Sequence, residues 1–153
     1  MTNRPNPYAV AGKLTQTLID FGTTVAAMGL EPALNELIKL RASQINGCAP
    51  CLLMHTREAL RLGESDIRIY LLDAWRESSL YTPRERAALG WTEALTNLTD
   101  EAARDLAYEA VAAEFSEADQ VKLTLMILAI NSFNRLNIGF KVPHPAVPAR
   151  VAA

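Results

Sequence analysis

The chain is poor in several residue types that would otherwise point to a role. Of its 153 residues, two are cysteine, two histidine and two tryptophan. A secreted, disulfide-stapled domain would carry more cysteines, spread along the chain. Here the pair, Cys48 and Cys51, stands three apart. Positive charge is not in excess either. Fifteen Lys and Arg against 17 Asp and Glu leave a formal net charge of -2, which gives no electrostatic reason to bind nucleic acid or an anionic membrane. Long apolar runs are missing. Val121 to Ile130 is interrupted by Lys122 and Thr124 and is about half the length of a membrane span, so it reads as a buried helix. The start, Met1 to Pro7, has no apolar segment of the signal-peptide kind, and the expected location is the cytoplasm. Sustained period-two alternation is lacking too, which argues against a sheet.

What is present is helical periodicity, with Gly and Pro falling mainly between periodic segments. The pattern predicts helices over Tyr8 to about Met28, Pro32 to about Ile45, Cys48 to Leu62 and Ser65 to Trp75. Thr82-Pro83-Arg84-Glu85 supplies an N-cap, a first-turn proline and a capping box for a fifth helix, to about Thr96. A sixth begins at Thr99 or Asp100 and runs to about Glu114. Ser116 caps a seventh, to about Asn134 or a little beyond. From Gly139 onward, Pro143, Pro145 and Pro148 predict an extended tail. The expected architecture is all-α, one compact bundle of six to seven helices in a single domain.

Chemistry concentrates in Asn46-Gly47-Cys48-Ala49-Pro50-Cys51-Leu52-Leu53-Met54-His55. Neighbours three and four apart share a helix face, so Cys48, Cys51 and His55 line one side of the third helix. Two thiols so spaced can close a disulfide, and a histidine one turn on can take or return a proton near neutrality. Cys48, at the helix start, gains from free N–H groups and the helix dipole, which favour a thiolate. Glu36 lies on the preceding helix. The break at Asn46-Gly47 can fold that helix back, letting the carboxylate orient His55. A plainer reading pairs Glu36 with Lys39 on its own helix. Arg41 falls on an apolar face and suits a buried ion pair. Trp75 and Trp91 read as core or subunit interface, Tyr70 and Tyr81 as candidates to line a substrate pocket that nothing else singles out, and His144 as a structural or exposed residue of the tail, with an oligomer contact as the alternative.

The run from Glu36 to Cys51, then His55-Thr56-Arg57-Glu58-Ala59, resembles the alkylhydroperoxidase D core of the carboxymuconolactone decarboxylase family. The pattern is Glu, eleven residues, Cys, two residues, Cys, three residues, His. The close match spans roughly residues 30 to 75. The Leu62-Gly63-Glu64-Ser65 turn and the helix from Thr82 to Thr96 also look like small single-motif members. The resemblance implies that family's all-helical fold, a homo-oligomer (a trimer or hexamer), no cofactor, and a thiol peroxidase acting on organic hydroperoxides or hydrogen peroxide. Carried over, it makes Cys51 the attacking thiol and Cys48 the resolving one, with Glu36 and His55 in a proton relay. The dipole argument favours Cys48 instead. Pro50 stands where the best-studied peroxidases of the family have a relay histidine. The decarboxylases of the family lack the cysteine pair, which argues against that reaction here.

Three other readings stand beside the peroxidase. One is a dithiol–disulfide oxidoreductase acting on a protein partner. Another is a zinc site built from Cys48, Cys51, His55 and Glu36, although tetrahedral zinc usually draws its ligands from more than one element. The last is a non-catalytic oligomer with cysteines as apolar filler. Covalent haem attachment is excluded, because Leu52 follows the second cysteine where His is required.

Overall fold

The computed structural model describes residues 4–98 and 100–145, and these form helices and connecting turns with no strand among them. Eight α-helices follow in order: α1 (Pro7–Val10), α2 (Gly12–Ala26), α3 (Pro32–Asn46), α4 (Ala49–Arg61), α5 (Asp66–Leu71), α6 (Pro83–Asn97), α7 (Glu101–Glu114) and α8 (Glu117–Phe140). A 3₁₀ turn over Leu72–Ala74 follows α5. None of these helices is long and apolar enough to cross a membrane.

The helix starts follow local chemistry. Thr82 accepts from the Glu85 N–H while Glu85 accepts from the Thr82 N–H, so the expected capping box is formed. Ser116 and Asp100 cap α8 and α7 through their side chains. Three expectations are corrected. The first predicted helix is two, because Ala11 leaves helical geometry (φ -120, ψ 41) beside Gly12, a poor helix former. The fourth tightens into 3₁₀ geometry after Leu71, where Asp73 is held by Arg41. The last runs to Phe140, and the expected tail starts at Lys141. Residues 146–153 of that tail, and Thr99 as a helix start, lie outside the described residues.

α3 packs against α4, α6 and α8. It buries Leu34, Leu37, Ile38 and Leu40 on different sides, as expected of a helix surrounded by protein. Leu34 and Ile38 enter one apolar cluster, with Val25, Ala88, Val111, Phe115, Leu123 and Ile127. Leu37 and Leu40 enter a second, with Ala59, Leu72, Trp75 and Leu89. Each fully buried leucine contributes about 1.5–3 kcal/mol, so the placement of α3 is strongly fixed. The 121–130 segment divides as a helix must. Leu123, Met126 and Ile127 are buried, while Val121 and Leu128 face outward.

Candidate functional site

The site begins with the turn between α3 and α4. Gly47 adopts φ +71, the left-handed region where a Cβ is costly. Its N–H bonds to Gln44 O at 3.2 Å and that of Cys48 to Ser43 O at 3.0 Å. Together these bonds make a Schellman motif. The chain reverses and α4 packs alongside α3.

That reversal brings Glu36 to His55. Their Oε2 and Nδ1 are 2.8 Å apart, and both residues are buried. A carboxylate only accepts hydrogen bonds, so Nδ1 carries the proton. Among the described residues no group bonds to Nε2, which stays available. Lys39 donates to Glu36 Oε1 at 2.7 Å, so the plainer pairing and the relay pairing are both present. Burial by itself pushes the Glu36 carboxyl pKa up. Hydrogen bonds and charge from His55 and Lys39 outweigh it and hold the pKa below its ordinary value.

Cys48 is the N-cap of α4 and Cys51 lies in its first turn, with Pro50 between them. The two are joined as a disulfide with Cα atoms 5.4 Å apart, within the usual span of such bonds. Both lie in the same helix-terminal field, so the dipole argument does not separate them. Their relative exposures of 0% and 1% seal the sulfurs from contact with a large partner. Asn137 makes the distinction that the dipole does not. Its Nδ2 donates to Cys51 Sγ at 3.4 Å, and its Oδ1 accepts from the Tyr8 hydroxyl at 2.8 Å.

All four expected site residues therefore lie in the corner formed by α3 and α4. Asn137 and Tyr8 are the residues that sequence reasoning missed. A signal for Asn137 existed. Asn131, Asn134 and Asn137 recur every third position, on one face of a helix where Asn is a poor former. Asn131 and Asn134 join Asn46, Ser43 and Thr96 in a polar knot between α3, α6 and α8. Nothing comparable marks Tyr8. His144 is exposed, and its ring contacts Pro145 O. Tyr70 is exposed, and Tyr81 is buried in the second apolar cluster. Arg41 makes the expected ion pairs, with Glu93 and Asp73. Among the described residues no group of three or more His, Cys, Asp and Glu is arranged to hold a metal ion.

Residues 12–94, which contain Glu36, Cys48, Cys51 and His55, match the model of the carboxymuconolactone decarboxylase family. The chain belongs to that family. The chain is similar to the uncharacterised protein YdfG of Bacillus subtilis, 38% identical over 91% of this chain and 95% of the relative. A crystal structure from Agrobacterium tumefaciens superposes with a TM-score of 0.90 at 41% identity, covering 95% of this chain and all of that one. That protein is of unknown function and has been suggested to be the antioxidant defence protein AhpD. The debrominase Bmp8, solved with a tribromopyrrole, shares the fold at a TM-score of 0.78 and 20% identity, covering 93% of this chain and 78% of its own. Family membership accounts for the all-helical AhpD-like fold. Tyr8 and Asn137 fall outside the segment that the family model matches.

Proposed function

We propose that this carboxymuconolactone decarboxylase family member is a thiol peroxidase that reduces organic hydroperoxides or hydrogen peroxide through a Cys48–Cys51 disulfide cycle. The observation that carries this reading is the buried Glu36–His55 pair, one helical turn from the disulfide. His55 takes the Cys51 proton, and Glu36 stabilises the imidazolium so formed. The thiolate attacks one peroxide oxygen and the O–O bond breaks. Cys51 becomes a sulfenic acid, and the departing alkoxide or hydroxide receives the proton from His55. The Cys48 thiol then attacks the Cys51 sulfur. The disulfide forms, and the sulfenic oxygen leaves with the Cys48 proton as water. An external dithiol returns two electrons and two protons. Pro50 can move no proton, so His55 alone performs that work on α4.

Burial of both sulfurs favours a small peroxide over a folded protein disulfide as the oxidant, which ranks the oxidoreductase reading second. The suggested antioxidant role of the Agrobacterium relative supports the same choice. A homo-oligomer, trimer or hexamer, belongs to the proposal. Val10 and Leu14 are 75% and 74% exposed beside an apolar groove of about 370 Å³ between α1, α2 and the end of α8. Light scattering should give a multiple of the 16.8 kDa chain mass. The deciding test is peroxide consumption with a dithiol donor. Cys51→Ser and Cys48→Ser should each abolish dithiol-driven turnover. Unchanged turnover in both variants removes the mechanism, and fast reduction of protein disulfides without peroxide turnover favours the second reading.

A further inference from the structure

We propose that Asn137 is a catalytic hydrogen-bond donor to the Cys51 thiolate, and that Tyr8 is the positioning residue that keeps the amide turned toward the sulfur. The proposal rests on the peroxidase reading only in taking Cys51 as the attacking thiol. The geometry runs through three helices. Tyr8 on α1 donates to Asn137 Oδ1 at 2.8 Å, and Asn137 on α8 donates to Cys51 Sγ on α4 at 3.4 Å.

An amide has two unlike ends, and which end faces the sulfur matters. A phenol that donates to Oδ1 leaves Nδ2 aimed at Sγ. The reversed amide would set the Oδ1 lone pairs against those of a thiolate. Burial pushes the Tyr8 phenol pKa up, more than the Asn137 contact lowers it, so the hydroxyl keeps its proton and remains a donor. Arg4 donates to Gly139 O, which pins the N-terminal segment to the same end of α8 and holds Tyr8 in place. The arrangement also distinguishes the two sulfurs, since among the described residues no group donates to Cys48 Sγ.

A hydrogen bond to an ionised acceptor is about twice as strong as one between neutral groups. The Asn137 donor therefore gains strength when the disulfide opens and Cys51 ionises. Being neutral and unable to take up a proton, the amide favours the thiolate without competing with His55. The ionisable groups linked to this centre include Cys48 at the N-cap of α4, His55 on α4, Glu36 and Lys39 behind His55 on α3, and Tyr8 behind Asn137 on α1.

The test is a pH titration of the Cys51 thiolate by its ultraviolet absorbance, in a Cys48→Ser background that leaves a single thiol. Asn137→Leu should raise the Cys51 pKa by about one unit, or about tenfold less thiolate at a fixed pH below it. Tyr8→Phe keeps the ring and should raise it by about half as much, since the amide is then free to turn. Circular dichroism checks that α8 is intact, and Asn137→Ala replaces Leu if it is not. An unshifted pKa in both positions overturns the proposal. A shift at Asn137 with none at Tyr8 overturns the positioning role. No peroxide is used, so a shifted pKa in a protein that consumes no peroxide keeps the donor and removes the peroxidase reading. Peroxide turnover with no shift does the reverse.

Discussion

Two glutamates are drawn out of water by the packed helices, Glu36 fully and Glu93 in part, and they are held in different ways. Glu93 on α6 accepts from Arg41 at 2.7 Å, from the Trp75 indole at 2.8 Å and from Arg76. Glu36 on α3 accepts from Lys39 and His55. In both, burial pushes the carboxyl pKa up and the donors bring it below its ordinary value. The donors make the difference. Guanidinium and indole groups do not release protons near neutrality, so Glu93 is a clamp that ties α6 to α3 and to the turn carrying Trp75. Imidazole does exchange protons there, and it lies one turn from a sulfur. Burial and a lowered pKa are common to both. An exchangeable proton beside a reactive atom is not, and that feature marks the candidate site.

The largest expected separation comes from His55→Gln set against Arg41→Met. His55→Gln keeps an amide for Glu36 but cannot shuttle the proton, and should lower kcat with peroxide and dithiol by about 10²–10⁴-fold. Arg41→Met should leave kcat unchanged and cost about 1–2 kcal/mol in urea unfolding, because the half-buried Glu93 loses one of its three donors. A kinetic loss in Arg41→Met as deep as that in His55→Gln would erase the distinction.

Acid should expose what the two clusters share. Each carboxylate has a folded pKa below its unfolded one. Its contribution is complete above the ordinary carboxylate range and is lost as pH falls through the depressed value. Thermal melts should show Tm falling in that acidic window, and Glu36→Gln and Glu93→Gln should each flatten the fall. Parent-like slopes in both variants would refute this common electrostatic account.

Smaller effects sharpen the contrast. Gly47→Ala puts a Cβ at φ +71 and should cost about 1 kcal/mol in chemical denaturation. Because Gly47 shapes the Glu36 corner and not the Glu93 clamp, it should also lower kcat. Trp75→Phe removes one of three donors to Glu93 and part of a buried ring from the second apolar cluster, and should cost about 1–3 kcal/mol with turnover unaltered.

Much of the scaffold was legible before any coordinates. Thr82, Asp100 and Ser116 mark helix starts through local hydrogen bonds, and Gly47 marks a helix end, so neighbours in sequence suffice to read them. The length of α8 was not legible. Its last turns contain Asn134 and Asn137, which disfavour helix by local propensity. Asn134 bonds to Ser43 and Asn137 to Tyr8 and Cys51, and these distant partners outweigh the local preference. The break at Ala11 went unread because the apolar pattern continues across it.

The order of residues by itself settled the helical class, the turn at Gly47 and the reach of Cys48, Cys51 and His55 to one another, since each depends on spacing along one or two helices. Only the packed molecule decided that Glu36 meets His55 as well as Lys39, that both sulfurs are enclosed, and that Cys51 rather than Cys48 receives an amide from α8. Those outcomes depend on how separate helices cross. Burial of leucines on several sides of α3 fixes those crossings, and no local rule encodes them.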